Sequence, residues 1–268
     1  MANYSAQEVK KLREDTDAPM MECKAALDEA DGDFDKAKNI LREKGKAAAA
    51  KRTDRSTAAG VVAIAANADA TVVGGIVVEC ETDFVARNED FIALVQGIAE
   101  LYRDNVTVDE AKVKEIVEGA VAKIRENIKV TKSIRLTSDS PIATYVHHDR
   151  TKGSAVISAG PPSEAVRKVA IQIVAFPPDV LKKEDLSKEK LDAEIEIEKN
   201  RAMNEGKDEK LAENIAKGRV NKEFVKRAVL LEQPYYIDPS KTVGQFLAEE
   251  AKGTSLLSFA YLAVGQGS

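Results

Sequence analysis

Tryptophan is absent from the sequence, and aromatic residues make up only 5% of it. Proteins that bind single-stranded nucleic acid stack bases on such rings, so their scarcity argues against that class. The formal net charge of −5 argues in the same direction, because binding to a phosphate backbone normally requires a basic surface. We therefore expect no direct nucleic-acid partner.

Long apolar runs and paired cysteines are also missing. No stretch approaches the roughly 18 consecutive apolar residues of a membrane-spanning helix, and the first residues lack the basic-then-apolar order of a signal peptide. Only Cys23 and Cys80 are present, and nothing near either suggests a disulfide bridge. Two such thiols are typical of a reducing compartment, so we expect a cytoplasmic protein without membrane contact.

The signatures of common enzymes are missing as well. A phosphate-binding loop of the form GxxxxGK followed by Ser or Thr does not occur. Gly45 is followed by a lysine, but the first glycine of the motif would have to stand at position 40, which is Ile40. His147 and His148 are the only histidines, and neighbours on a strand point to opposite faces, which disfavours joint binding of one metal ion. We expect no catalytic residue, no metal site and no cofactor.

The first fifty residues predict three short helices. Ser5 and Glu8 fit a capping box at the start of the first helix. Gly45 is expected to end the third helix. The sequence therefore predicts a small module over residues 1–50, followed by a polar linker over residues 51–59.

A strand–strand–helix pattern then occurs twice. The β-branched runs that precede a helical stripe in the two copies are Gly60–Ala66, Thr71–Cys80, Pro141–His148 and Ser154–Gly160. We predict two related α+β subdomains with antiparallel sheets, over residues 60–140 and 141–268. A final strand at Leu256–Val264 is expected to close the second sheet.

A highly charged segment interrupts the second subdomain at about residues 185–218. Its apolar stripe is thin, and it is broken at Asn204–Gly206. This pattern predicts a protruding helical hairpin with solvated faces rather than core helices. The predicted fold class is therefore α+β, with three N-terminal helices, two small sheets and a hairpin.

Three stretches resemble the elongation factor Ts family, and together they span nearly the whole chain. They are Leu12–Leu27 (LREDTDAPMMECKAAL) continued by Gly32–Gly45, then Glu81–Phe91 (ETDFVARNEDF), and finally Leu230–Leu247 (LLEQPYYIDPSKTVGQFL). The chain departs from the family pattern at Thr16–Met21, where both glycines of a Thr-Gly-Ala-Gly-Met-Met turn are replaced, and at Arg87, where lysine is commoner.

The resemblance implies a bacterial-type translation elongation factor with a ubiquitin-associated-like N-terminal module. The implied partner is the GTPase elongation factor Tu, in its GDP-bound and nucleotide-free forms. The implied activity is guanine-nucleotide exchange: the factor disrupts the partner's Mg²⁺ and phosphate site, GDP leaves, and GTP rebinds during protein synthesis. Such exchange works by coupled binding without covalent chemistry, so the protein is expected not to be an enzyme.

The resemblance also assigns site residues to the connection Thr82, Asp83, Phe84 and Val85. From pattern alone, a phenylalanine in such a connection is usually a core residue, and Asp83 is more often a helix cap. The family match reverses both interpretations. It implies that the ring intrudes beside the partner's nucleotide and dislocates its Mg²⁺.

Partner contacts are implied at Leu12, Met20, Met21 and His147. Adjacent helical residues are separated by about 100°, so Met20 and Met21 cannot both lie centrally on one buried face. One methionine is therefore expected in the module's core, and the other free for an adaptable apolar contact.

Two other functions stay open at this point. In the first, residues 1–50 form an adaptor for a different partner and the rest is a scaffold. In the second, an enzyme uses Asp83 as acid or base in a cleft between the subdomains, although the sequence offers no second catalytic group. Release of GDP from purified elongation factor Tu discriminates among the three.

Overall fold

The computed structural model describes residues 3–16, 18–50, 52–160 and 163–266. Asp17 of the altered turn and Lys51 of the expected linker lie outside these residues. The chain is a mixed helix and sheet protein, as predicted, with a three-helix region followed by two small antiparallel sheets and their helices. The N-terminal helices are α1 (Ala6–Thr16), α2 (Met20–Glu29) and α3 (Phe34–Ala50).

The three-helix region has a small core of its own. The capping box predicted at α1 is present, because the Glu8 carboxylate accepts a 2.6 Å hydrogen bond from the backbone N–H of Ser5 and the Glu8 N–H donates to the Ser5 hydroxyl. The buried apolar side chains come from all three helices: Val9, Leu12, Cys23, Ala26, Leu27, Ala30, Ala37 and Leu41.

Helix α3 does not end at Gly45, which corrects the prediction from sequence. The alanine run after Gly45 has the highest helix propensity of any residue type, so the helix continues to Ala50. Gly45 instead marks a close approach to a second helix, since a Cβ atom at this position would lie 3.0 Å from Cβ of Ala122.

The first sheet has the order β1–β2–β3, with strands at Ala59–Ala66, Val72–Cys80 and Lys129–Thr137. Three helices lie between β2 and β3 along the chain: α4 (Asp83–Ala86), α5 (Glu89–Asp104) and α6 (Glu110–Ile124). Gly74 in β2 is required for packing on α5, because a Cβ atom there would lie 2.2 Å from the carbonyl oxygen of Ala99.

The second sheet has the order β4–β5–β6, with strands at Ala143–Val146, Lys152–Ala159 and Ser255–Ala263. Strands β4 and β5 pair antiparallel, with Ala143 opposite Val156. Helix α7 (Glu164–Ala175) packs on this sheet, and the hydroxyl of Ser154 donates a 2.7 Å hydrogen bond to its Ala170 carbonyl. The predicted closure of the second sheet by the last strand is confirmed.

The charged segment forms the predicted helical hairpin, with α8 at Lys188–Asn204 and α9 at Glu209–Arg219. A π-helical segment, Val220–Val225, continues α9 and leads into α10 (Lys226–Ala228) and later α11 (Val243–Glu250). Residues Val220, Phe224, Val225, Ala228 and Val229 form a buried cluster, and Leu186, Leu191 and Ile195 pack against it.

The chain divides into two compact units. The first contains residues up to Ala63, Gly74–Ser133 and the stretch from Ala263, and the second contains Ile64–Val73 and Ile134–Leu262. The three-helix region thus lies in the same unit as α5 and α6. Among the described helices, none is long and apolar enough to cross a membrane.

Candidate functional site

The residues Thr82–Val85 lie on a short connection that is fixed at both ends. Strand β2 ends at Cys80, and the Thr82 hydroxyl oxygen caps α4 by accepting a 3.3 Å hydrogen bond from the backbone N–H of Val85. Asn88 caps α5 in the same way, since its side-chain oxygen accepts a 3.1 Å hydrogen bond from the N–H of Phe91. The α4 turn is therefore held between a strand end and a long helix.

The carboxylate of Glu126 clamps the start of this turn. It accepts hydrogen bonds from the backbone N–H of Glu81 and of Thr82, both 3.0 Å long, and from the Thr82 hydroxyl at 2.6 Å. Glu126 follows α6, and the residue before it, Arg125, adopts the left-handed conformation with a φ of 66°. The end of α6 thus anchors the end of β2 through three hydrogen bonds.

A second set of hydrogen bonds runs in the opposite direction. The backbone N–H of Asn127 donates a 2.7 Å hydrogen bond to the Glu81 carboxylate. The Asn127 side-chain amide donates to the carbonyl oxygens of Thr53 and Arg55, at 3.2 and 2.6 Å. Because Asn127 is buried, its amide needs these partners. Three chain segments are therefore tied together beneath the α4 turn.

Phe84 projects from this rigid base. Its side chain is 84% exposed, so it is not a core residue, and the interpretation from pattern alone is corrected. Val85 is half-buried. Asp83 is exposed and forms an ion pair with Arg87 at 3.2 Å. The connection therefore presents an aromatic ring to the surface beside an ion pair.

The two methionines of α2 are both exposed, Met20 by 42% and Met21 by 73%. The expectation that one of them belongs to the core is corrected, because the buried face of α2 begins at Cys23. Leu12 is fully buried in the three-helix core. In this structure Leu12 offers no surface to a partner, and it supports the helices that present Met20 and Met21.

His147 and His148 lie beyond β4 rather than inside it, which corrects the predicted strand Pro141–His148. After the strand the chain turns toward β5: the backbone N–H of Arg150 donates a 2.9 Å hydrogen bond to the carbonyl oxygen of His147, and Arg150 adopts a φ of 57°. The two rings are consequently neighbours, with centroids 4.3 Å apart, and do not point to opposite faces. Nδ1 of His147 lies 3.1 Å from the hydroxyl oxygen of Tyr145.

Asp149 completes this turn. Burial acts to raise the pKa of its carboxyl group, but hydrogen bonds from the backbone N–H and hydroxyl of Thr151, together with the charges of His147 and His148, hold the pKa below its usual value. No cluster of three or more His, Cys, Asp or Glu side chains that could hold a metal ion occurs among the residues that the structure describes. The turn is thus a polar surface feature of the second unit.

Sequence reasoning missed Glu126 and Asn127 as parts of the site. They lie about 45 positions from the residues that they hold. No local pattern marks a glutamate whose partners are backbone N–H groups so far away. A polar Glu126–Asn127 pair directly after an amphipathic helix is the only signal that the sequence offers, and such pairs usually belong to turns.

Comparison with known proteins identifies the family to which the chain is similar. The family model described as "Elongation factor TS" matches residues 81–266. A protein named "Elongation factor Ts" from Chloroherpeton thalassium is 38% identical, over 94% of this chain and 93% of its own length. Proteins of the same name from Azoarcus sp. and Thiobacillus denitrificans are 38% and 39% identical over 100% of this chain, and over 92% and 94% of their own lengths.

The resemblance seen in three stretches of sequence therefore extends over essentially the whole chain. Identity at this level over this length is shared by proteins of one fold and one family. The chain belongs to the elongation factor Ts family.

Proposed function

We propose that this translation elongation factor binds the GTPase elongation factor Tu in its GDP-bound form and promotes release of GDP in the cytoplasm. The observation that carries the proposal is Phe84, whose ring is 84% exposed on a connection held by capped helices and by Glu126. A large apolar side chain that faces water on a rigid base is suited to insertion into another protein.

Rigidity matters because insertion must displace groups of the partner. A ring on a flexible loop would first have to be ordered, and that ordering would use part of the binding free energy. Here the hydrogen bonds at Thr82, Asn88 and Glu126 already fix the backbone on both sides of Phe84. Most of the binding free energy is then available to remodel the nucleotide site.

The proposed target of the ring is the partner's Mg²⁺ site. Mg²⁺ demands near-octahedral oxygen coordination and neutralises the charge of the nucleotide phosphates. Displacing the residues that hold the ion leaves the β-phosphate poorly compensated, and GDP binding weakens. No covalent bond forms or breaks in this process, so the chain acts as an exchange factor and not as a catalytic enzyme.

Thermodynamic reciprocity constrains the cycle. If the factor weakens GDP binding by a given ratio, GDP must weaken binding of the factor by the same ratio. The nucleotide-free complex is therefore the tightest one, and rebinding of GTP or GDP releases the factor. The cellular ratio of the two nucleotides, and not the factor, sets the direction of exchange.

Further contacts are proposed at Met20, Met21 and His147. The methionines are exposed on α2, and the thioether side chain adapts to irregular apolar surfaces. His147 is half-buried in the turn between β4 and β5 of the second unit. We expect these residues to contribute affinity, whereas Thr82, Asp83, Phe84 and Val85 contribute the displacement of Mg²⁺.

The test is stopped-flow release of fluorescent GDP from purified elongation factor Tu. We expect Phe84→Ala to slow catalysed release at least about tenfold, which corresponds to about 1.4 kcal/mol in the barrier. Asp83→Ala should slow release less. Val106→Ala is the matched control, because Val106 is also 84% exposed in the first unit but lies away from the α4 turn.

A thermal melt of each variant accompanies the kinetics. Because the ring of Phe84 is exposed, its removal should leave the melting temperature nearly unchanged, whereas truncation of a buried phenylalanine lowers the free energy of unfolding by about 3–5 kcal/mol. Release at the wild-type rate by Phe84→Ala, or an equal loss in Val106→Ala, would contradict the proposal.

A further inference from the structure

A cleft in the second unit is not accounted for by nucleotide exchange. Its volume is about 710 Å³, which lies in the range of small-molecule sites. It is bounded by the end of α7, by the π-helical segment with α10, and by the chain between Gln233 and Pro239. Its apolar surface includes Phe176, which is 54% exposed, and Tyr236 with the neighbouring prolines.

A buried pair of glutamines builds the floor of this cleft. The Gln172 side chain donates a 2.9 Å hydrogen bond to Gln233 and accepts one of the same length from the backbone N–H of Tyr236. The Gln233 amide donates to the carbonyl oxygens of Phe176 and Arg227, at 3.0 and 2.7 Å. All three walls are joined by these hydrogen bonds, so the cleft is preformed.

Three cations line the rim of the cleft: Lys222, Lys226 and Arg227. Within residues 163–266, none of the three forms an ion pair with a carboxylate, although lysines of the adjacent hairpin such as Lys199 and Lys217 are paired with glutamates. Arg227 instead lies over the ring of Phe224, at 5.6 Å from its centroid.

Two acidic residues also line the cleft, and they do not cancel this charge. Asp179 is engaged by Lys190 at 3.4 Å, which leaves Glu223 as the acid without an ion pair among the described residues. Three cations therefore face one uncompensated carboxylate. The rim should attract an anion.

The backbone that carries these cations is unusual. Val220–Val225 forms six residues of π-helix, a conformation that is rare and that is frequently found at functional sites. Lys222 and Glu223 come from the π-helical segment itself, and Lys226 and Arg227 follow directly. The irregular turn thus occurs at the wall that presents the charged groups.

From these observations we infer that the cleft binds a small aromatic anion, independently of the proposed exchange activity. The ring of the ligand would pack on Phe176 and Tyr236, and its phosphate or carboxylate group would meet Lys222, Lys226 and Arg227. Both halves are needed, because exposed lysines alone bind anions weakly and an apolar surface alone does not select for charge.

The experiment uses the full-length protein and naphthyl phosphate as probe, followed by ¹H–¹⁵N NMR. We expect shift changes at the amides of Phe176, Arg227 and Tyr236. The affinity should be at least about fivefold higher than for neutral naphthol, which lacks the anion, and for inorganic phosphate, which lacks the ring. Naphthoate replaces the phosphate by a carboxylate and distinguishes the two anion classes.

Two variants test the two halves of the site. Phe176→Ala and Lys226→Glu should each weaken naphthyl phosphate binding at least about fivefold, and both change exposed side chains that the fold does not need. Lys210→Glu makes the same charge change on α9, outside the cleft, and should leave the affinity unchanged. The inference is overturned if no shifts occur at the cleft, if naphthol binds as well as its phosphate, or if Lys210→Glu and Lys226→Glu weaken binding equally.

Discussion

The side chain of Phe84 is mostly exposed to solvent, so it adds little to the stability of the connection that carries it. Hydrogen bonds made by the neighbouring residues hold this connection instead. An exposed phenylalanine forgoes about 1.5–3 kcal/mol of stabilisation that burial would give. The compensating interactions are the caps at Thr82 and Asn88 and the three hydrogen bonds to Glu126. Removal of the ring alone therefore leaves the local structure in place.

A substitution of Glu126 should have the opposite effect: the ring of Phe84 stays, but the backbone that carries it is held less firmly. In Glu126→Gln, the amide oxygen can still accept from the backbone N–H groups of Glu81 and Thr82, but an NH₂ group replaces the oxygen that accepts from the Thr82 hydroxyl, and the negative charge is lost. Hydrogen bonds to a carboxylate are roughly twice as strong as hydrogen bonds to a neutral amide, so the connection that carries Phe84 is held less firmly. We expect the rate of GDP release from elongation factor Tu to fall several-fold although Phe84 is intact.

A control variant and a double variant test whether Glu126 acts through Phe84. Glu100→Gln changes an exposed glutamate of α5 and should have no effect on release. If Glu126 acts by positioning Phe84, the double variant Phe84→Ala with Glu126→Gln should release GDP no more slowly than Phe84→Ala alone. Additive losses would show instead that Glu126 contributes to exchange independently of the ring.

The two thiols give a second prediction at the level of single residues. Burial raises the pKa of Cys80 to about 12, and it also raises the pKa of Cys23. Because the reactive species is the thiolate, neither thiol should react with Ellman's reagent at pH 8 in the native protein, and both should react in urea. Ala111→Cys places a thiol on an exposed face of α6 and should react at once.

The raised pKa of Cys80 also makes the free energy of unfolding depend on pH in alkaline solution. The contribution of Cys80 to the free energy of unfolding is fully present below its ordinary pKa of 9.0 and falls as the pH rises toward about 12, because the unfolded thiol ionises first. A native thiol that reacts as fast as the control at pH 8 would contradict both statements.

Among the elements, those with a complete set of local signals were predictable. Helix α5 begins at a capping asparagine and carries a regular apolar stripe, and α7 begins at the capping Ser163. Strand β6 was predicted from a continuous run of strand-forming residues. In each case local propensity and tertiary packing favour the same conformation.

Elements that depend on distant contacts were not predictable. Gly45 stops helices in many sequences, but here it packs against Ala122, which no local pattern reveals. The length of β4 is set by the turn at Asp149–Thr151, and the π-helical segment follows α9 without any break in its sequence. The exposure of Phe84 also contradicts its local pattern, and only the resemblance to a family predicted it.

The helical hairpin should be tolerant of shortening at its tip. The buried residues of its two helices are alanines, Ala202, Ala212 and Ala216, so little apolar area is lost when they are removed. The ion pair of Arg201 with Glu205 is exposed and contributes little, whereas Glu198 and Lys199 keep less than a fifth of their side chains exposed and account for part of the small expected loss. Replacing residues 197–216 by a short Gly/Ser loop should lower the melting temperature by only a few degrees, or about 1 kcal/mol.

The base of the hairpin should not tolerate truncation of its buried side chains. Leu191 and Ile195 pack against the cluster that contains Phe224, which is only 8% exposed. Phe224→Ala should therefore lower the free energy of unfolding by about 3–5 kcal/mol, several times the effect of the shortened tip. Differential scanning calorimetry compares the two variants. A loss of cooperative melting in the shortened protein would show that the tip belongs to the core.

At the scale of the whole molecule, the candidate site and the proposed affinity contacts lie on different elements. The α4 turn is held by β2, α5 and the end of α6, whereas Met20 and Met21 lie on α2. The two regions are connected, because Arg125 at the end of α6 forms hydrogen bonds of 2.7 and 2.8 Å with Glu22 of α2, and Arg42 of α3 pairs with Glu115. These ion pairs are exposed and each contributes little to stability.

This arrangement predicts a division of labour that truncation can test. Deleting residues 1–50 removes Met20 and Met21 and uncovers the side of α6 that contacts α3, but it leaves both sheets and the clamp at Glu126 in the chain. We expect a folded protein with a lower melting temperature, whose dissociation constant for elongation factor Tu is raised at least about tenfold, or by about 1.4 kcal/mol.

The double substitution Met20→Ala with Met21→Ala separates lost contacts from lost stability. Both side chains are exposed, so their truncation should leave the melting temperature unchanged while it weakens the complex by part of the effect of the deletion. At saturating concentrations of either variant, the rate of GDP release should approach that of the full chain, because Phe84 and its clamp are intact. Isothermal titration calorimetry gives the affinities and stopped-flow fluorescence the rates. A truncated protein that binds as tightly as the full chain, or one that binds weakly and also fails to release GDP at saturation, would show that affinity and displacement are not divided between these two regions.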